Sequence, residues 1–284
     1  MYKKDYRKAK RMQFTVGMLM KLKGKTKADI RYVQTSQGNI RILEYGFKDQ
    51  QIKPLFIDMH GGGFVLMNAD SDETINNYLL DNTNVKIISI DYPKAPDHPF
   101  PSALDAVYEI VSYYYEHADE LRIDRTGIGI GGHSAGANLA AAICIRAKQD
   151  QRPWPRYQVL DYPPLDLSTS PFDKPAPKGA VDPKMAAMFD AAYVSAEQVR
   201  NPLVSPLLAT EEMLFGLPPA LIIAAGQDSL HDEAVGYADL LRQTGVTTAL
   251  HDFPKAEHGF TLKPGEDTAK ALRLIADFIT LHSV

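Results

Sequence analysis

Gly127-Ile128-Gly129-Ile130-Gly131-Gly132-His133-Ser134-Ala135-Gly136-Ala137-Asn138-Leu139 is the stretch that decides how this chain folds. Its first five residues alternate glycine with isoleucine, the pattern of a short buried strand. Ala137–Arg146 is an alanine-rich run with the composition of a helix. Between them, Gly132-His133-Ser134-Ala135-Gly136 fits G-x-S-x-G. Strand, sharp turn and helix in that order require small residues two positions either side of the serine, so that strand and helix can approach. They also press the serine into strained backbone geometry. The start of the helix directs free N–H groups at any negative charge that develops beside Ser134.

Outward from this turn, short β-rich runs alternate with helical patterns. Strands are expected at Ile30–Gln34, Ile40–Tyr45, Leu55–Met59, Val85–Asp91, Gly127–Gly131, Tyr157–Asp161, Ala220–Ala225 and Thr248–Phe253. The first two flank Ser36-Gln37-Gly38-Asn39 and predict an antiparallel hairpin. Helices are expected at Ser71–Asn82, Ser102–His117, Ala135–Lys148, Asp232–Gln243 and Asp267–His282. The alternation predicts an α/β fold, a mostly parallel eight-stranded sheet with helices on both faces. The Pro-, Ala-, Met- and Asp-rich stretch from Leu165 to about Phe215, with a helical piece at Pro183–Ala192, interrupts it. Long ordered insertions in compact domains usually serve function, so it is expected to form a cap. One domain over 1–284 follows, capped by about 1–28 and by 165–215.

The 284 residues are 45% hydrophobic and 23% charged, ordinary globular values. A net charge of −4 without a domain-wide basic patch gives no electrostatic support for nucleic-acid binding. Basic residues do gather near the N-terminus, at Lys3, Lys4, Arg7, Lys8, Lys10, Arg11, Lys21, Lys23, Lys25 and Lys27. Phe14–Leu22 is read there as part of an amphipathic helix packed on the body rather than a signal peptide, with no stable membrane insertion. The lone Cys144 lies in an apolar run, which predicts a core residue and fits a reducing cytoplasm.

His60-Gly61-Gly62-Gly63-Phe64 directly follows the strand at Leu55–Met59. Successive glycines leave backbone N–H groups uncovered, as an oxyanion hole requires; no G-K-[ST] or G-x-G-x-x-G spacing supports phosphate binding. A serine hydroxyl needs a base and the base an orienting carboxylate, in the chain order Ser, Asp or Glu, His. Of the eight histidines, His231, His251, His258 and His282 lie late enough. His258 falls in a loop between the last strand and the last helix, while His251 falls in a strand and His282 at the terminus. For the acid, Asp228 follows a strand end; Asp232 starts a helix, where capping alone explains it. Asp97-His98 and His251-Asp252 lack the spacing of a metal site, so no metal and no cofactor is expected. Glu257, beside His258, reads either as a tuning charge or as a solvated one.

Together these segments resemble the hormone-sensitive-lipase-like esterases of the α/β-hydrolase fold, from about Pro54 to the C-terminus. The resemblance rests on His60–Phe64, Asp91-Tyr92-Pro93-Lys94-Ala95-Pro96-Asp97-His98-Pro99-Phe100-Pro101, Gly132–Leu139, Ser205-Pro206-Leu207, Asp228–Glu233 and His258-Gly259-Phe260. It implies a catalytic triad of Ser134, Asp228 and His258. It also implies an oxyanion hole from the amides of Gly62, Gly63 and Ala135, with His60 organising the glycine loop. Two departures are His133, where the family usually has Asp, and Ser229, where it has Pro. The implied activity is hydrolysis of small, short-acyl carboxylic esters through an acyl-enzyme. Amide or arylformamide hydrolysis on the same residues and a non-catalytic ligand-binding relative are the alternatives. Phe64, Met185, Met188 and Phe189 are the candidates for the substrate pocket, and a homo-oligomer is left open.

Overall fold

The computed structural model describes residues 3–22 and 26–283. Residues 1, 2, 23–25 and 284 lie outside the described residues, and with them Lys23, Lys25 and part of the expected 1–28 cap.

The elements in chain order are α1 (Lys3–Leu22), β1 (Asp29–Thr35), β2 (Gly38–Tyr45), β3 (Leu55–Met59), α2 (Glu73–Asn82), β4 (Lys86–Ile90), α3 (Ser102–Glu116) and β5 (Gly129–His133). There follow α4 (Ala135–Gln149), β6 (Gln158–Asp161), α5 (Pro183–Tyr193), the single-turn α6 (Glu211–Leu214), β7 (Ala220–Gln227), α7 (His231–Gln243), β8 (Thr248–Glu257) and α8 (Glu266–His282). All eight strands form one sheet in the order β1-β2-β4-β3-β5-β6-β7-β8. β1 and β2 form the expected hairpin, Asp29 opposite Glu44 and Thr35 opposite Gly38. β2 also runs antiparallel to β4, and every other pairing is parallel. The fold is therefore the expected one.

Side chains alternate across this sheet and supply two apolar layers. Leu55, Ile57, Ile88, Ile90, Ile130, Ile222 and Ala224 meet α3, α4 and α7 on one face. Phe56, Ile87, Val159, Leu221 and Ile223 meet α2 and α8 on the other. Cys144, in α4, is 1% exposed within the first layer, as its apolar run predicts. Strands buried on both faces read as continuous apolar runs, which is why they were legible.

Several boundaries move, among them the end of the last strand, expected at Phe253 and found at Glu257. The strand expected at Gly127–Gly131 runs from Gly129 to His133, because Arg125–Gly127 is a 3-10 turn capped by Asp124, whose carboxylate accepts from Thr126 N at 2.9 Å. β5 thus leads directly into Ser134. The start of the helix expected from Ser71 is likewise a 3-10 turn at Ala69–Asp72.

Helix α1 lies against α5. It is tied to the body by Tyr6 Oη donating to Asp97 at 2.7 Å, by a Lys10–Asp97 ion pair at 2.5 Å, and by Gln13 Nε2 donating to the carbonyls of Val65 and Ala95 at 2.9 and 2.8 Å. Asp97 is thereby a helix anchor. Among the described residues no helix is long and apolar enough to cross a membrane.

Candidate active site

Ser134 sits between β5 and α4 at φ 51° and ψ −118°, the strained turn its neighbours predict. A Cβ on Gly132 would lie 2.4 Å from Met59 O, and one on Gly136 1.9 Å from the same atom. Both positions need glycine, because β3 passes directly against the turn. Ser134 N donates to Asp161 O at 2.9 Å, which pins the turn to the end of β6. The serine is 8% exposed.

His258 follows the last residue of β8, and Asp228 follows the last residue of β7. These adjacent parallel strands bring the two side chains together, with His258 Nδ1 2.6 Å from Asp228 Oδ2. Asp228 is 2% exposed, so the carboxylate is shielded while the imidazole faces a cavity. The other late histidines stand elsewhere. His231 lies between Asp232 and Asp252, at 3.0 and 3.3 Å, His251 lies within β8, and His282 ends α8. Asp232 is exposed in the first turn of α7, where the helix dipole favours an acid, but the N-cap is Leu230 and the Asp232 carboxylate meets His231 instead of capping the helix. Glu257 is exposed and paired with Lys263 at 3.2 Å.

Gly61, Gly62 and Gly63 pass beside the serine: a Cβ on Gly61 would stand 3.5 Å from Ser134 Cβ. Gly62 and Gly63 have φ of +109° and +60°, and a Cβ on Gly63 would lie 2.3 Å from the Phe189 ring. The loop therefore combines left-handed backbone with close packing. Ala135 opens α4, so its N–H is among those that a first helical turn leaves without an intrahelical acceptor. His60 is fully buried, its Nδ1 is 2.6 Å from Gly61 O, and its ring stacks on Tyr92 at 4.2 Å. Burial, with Lys94 nearby, holds its pKa well below the usual histidine range, so it is neutral and braces the loop.

Ser134, His258, Gly61, Gly62 and Gly63 line one cavity of about 390 Å3. Helix α5 gives it Met185, Ala186, Phe189 and Asp190, a single helical face, and α1 gives it Val16. Phe64 completes the wall and stacks on Tyr193 at 3.7 Å. Of the expected pocket residues, Met188 is the exception. It turns into the apolar core, 5% exposed, because it stands on another face of α5 from Met185 and Phe189.

Under the serine lies a buried charge cluster that spacing could not reveal. His133 Nδ1 is 2.8 Å from Asp161 Oδ2, and its Nε2 is 3.7 Å from Asp58 Oδ1. Burial pushes the imidazole's pKa down, but Asp72, Asp161 and Asp58 outweigh it and hold the value at about 10. Thr261 donates to Asp161 Oδ2 at 2.7 Å and shares a 2.9 Å hydrogen bond with Tyr162, whose ring meets His258 edge-on at 5.0 Å. The cluster thus joins the serine turn to the histidine loop. Asp58, Asp72 and His133 bring ligand-type atoms within 4.8 Å of one another. The insertion is tied down in the same manner, with Glu233 Oε2 accepting from the amides of Leu165 and Asp166 at 2.7 and 2.8 Å, and Asn138 Nδ2 donating to Pro164 O and Val204 O at 2.7 and 2.9 Å.

Residues 56–262 match a family described as alpha/beta hydrolase fold. Esterase LipI of Mycobacterium tuberculosis is 31% identical over 241 residues, covering 82% of this chain and 75% of that protein. Carboxylic ester hydrolase LipN of the same organism is 35% identical over 73% of this chain, and there the chain spans 57% of the relative's length. Among solved structures, the hyperthermophilic esterase of the archaeon Pyrobaculum calidifontis superposes with a TM-score of 0.87 at 29% identity, covering 99% of this chain and 94% of that one.

Proposed function

Because the chain belongs to the α/β-hydrolase family, in its hormone-sensitive-lipase-like branch, and is a carboxylic ester hydrolase, we propose that it works through Ser134, His258 and Asp228 on small esters of short-chain acids. The observation that carries this reading is the His258–Asp228 contact of 2.6 Å in the wall of the cavity onto which the strained Ser134 opens.

In the proposed reaction His258 Nε2 takes the Ser134 proton as Oγ attacks the ester carbonyl. Asp228 holds the Nδ1–H side of the ring and stabilises the imidazolium. The carbonyl oxygen, now negative, is received by the N–H groups of Gly62, Gly63 and Ala135, each worth about 3 kcal/mol in such sites. His258 then protonates the departing alkoxide, and an acyl group remains on Ser134. Water repeats the sequence, losing its proton to His258, and releases the acid. Helix α1 and the 165–215 insertion act as the cap that shapes the acyl pocket. A cavity of about 390 Å3 is near the small end for ligand sites, which supports short acyl chains.

Ser134→Ala tests the reading. The variant should fold normally and lose nearly all turnover of p-nitrophenyl butyrate, about a thousandfold or more in kcat. Retained turnover would sink the assignment. A series from acetyl to decanoyl esters should peak at the short end, and the p-nitroanilide of the best acid should be hydrolysed far more slowly than its ester.

A further inference from the structure

We propose that Asp190 makes the wall of this cavity a recognition point for a cationic, hydrogen-bond-donating group, so that the enzyme favours esters carrying an amine on their acyl or alcohol part. The inference rests on the cavity being the substrate site, as argued above.

Asp190 follows Phe189 on the face of α5 that lines the cavity, among Met185, Ala186 and Phe189. The charges around it are occupied. Lys174 pairs with Glu233 Oε1 at 2.5 Å and donates to Asp166 O at 2.6 Å. Glu233 accepts two backbone amides with its other oxygen. The Asp166 carboxylate accepts the hydroxyls of Ser168 and Thr169, both at 2.6 Å, and the amides of the same two residues. Asp190 feels burial and the charges of Lys174, Glu233 and Asp166, but no hydrogen bond reaches its carboxyl among the described residues.

A half-buried carboxyl in an apolar wall without a donor is costly to keep. Burial raises its pKa to about 7, which Lys174 only partly opposes and which Glu233 and Asp166 reinforce. A substrate ammonium would supply the donor and the charge that the protein leaves out. The local balance selects its sign, since one lysine faces three acidic residues. Lys174, which lines the same cavity, has its charge taken up by the 2.5 Å pair with Glu233, so the Asp190 carboxyl is left without a cation of its own.

The test uses isosteric pairs in which a dimethylamino group replaces an isopropyl group. For the acyl side, ethyl 4-(dimethylamino)butanoate is compared with ethyl 5-methylhexanoate. For the alcohol side, 2-(dimethylamino)ethyl butanoate is compared with 3-methylbutyl butanoate. The amine-to-isostere ratio of kcat/KM should fall about tenfold or more in Asp190→Asn and in Asp190→Leu for one of the pairs, and that pair identifies the side bound. An unchanged ratio in both variants for both pairs would overturn the proposal. Calorimetry on Ser134→Ala and on Ser134→Ala/Asp190→Asn reads binding of the same esters without turnover. Tighter binding of one amine that vanishes in the double variant upholds the role of Asp190 even if Ser134 proves not to be the nucleophile. Equal binding of amine and isostere in both proteins overturns it.

Discussion

His133 carries a positive charge although it is only 5% exposed, and that charge is offset by Asp58, Asp72 and Asp161. Removing the cation leaves buried carboxylates facing one another, so His133→Leu should lose about 3 kcal/mol or more of stability, read from its denaturant midpoint. The pH dependence has a definite sign. A histidine whose folded pKa is raised to about 10 stabilises fully below its unfolded value, and the benefit drains away as pH rises through the folded one. Stability should therefore fall between about pH 6.5 and pH 10, with that slope reduced in His133→Leu. Asp190 is an acid with a raised pKa of about 7, so its ionisation costs stability as pH climbs from the unfolded value towards 7. Asp190→Asn should accordingly raise the melting temperature at pH 8, by about 3 °C or more, with the gain vanishing towards pH 4.

At the scale of elements, the turn between β5 and α4 depends on β3 passing behind it. Gly136→Ala places a methyl 1.9 Å from Met59 O, a main-chain atom that cannot yield without moving its strand. The variant should lose about 2 kcal/mol or more in chemical denaturation and activity with it, because Ser134 is two residues away. This turn could be read directly from sequence, since the glycines, the serine and the alanine-rich helix are contiguous. The place of Asp228 was readable for a related reason, since it follows the apolar strand β7 at the end where parallel sheets gather ligand-facing side chains; His258 was expected in a loop, because the polar second half of β8 hides that the strand runs on to Glu257. The partners of His133 were not readable. Asp58 and Asp161 meet it, and Thr261 meets Asp161, only through the register of β3, β5 and β6 and the fold of the final loop, none of which leaves a local pattern. Lys174 was hidden likewise, because it lies in a proline-rich stretch without periodicity; Asp190 stood in the expected helix, but nothing local said that its acid shares the inward face with Met185 and Phe189.

Over the whole molecule, the sheet buries its strands between two layers of helices, and α4 lies in the thicker one. Cys144 is on that helix, and burial drives its thiol pKa far above the usual range. The folded protein should therefore resist alkylation, while the unfolded chain exposes a normal thiol. Only one cysteine exists, so each modified molecule marks one excursion of α4 away from the sheet. A ligand that binds the folded state alone lowers the population of such excursions by the factor 1 + [L]/Kd. The rate of thiol labelling thus becomes a ledger of occupancy at a distant cavity. A library of candidate esters and amines could be ranked on the Ser134→Ala protein by mass spectrometry alone, with no chromophore and no product to detect.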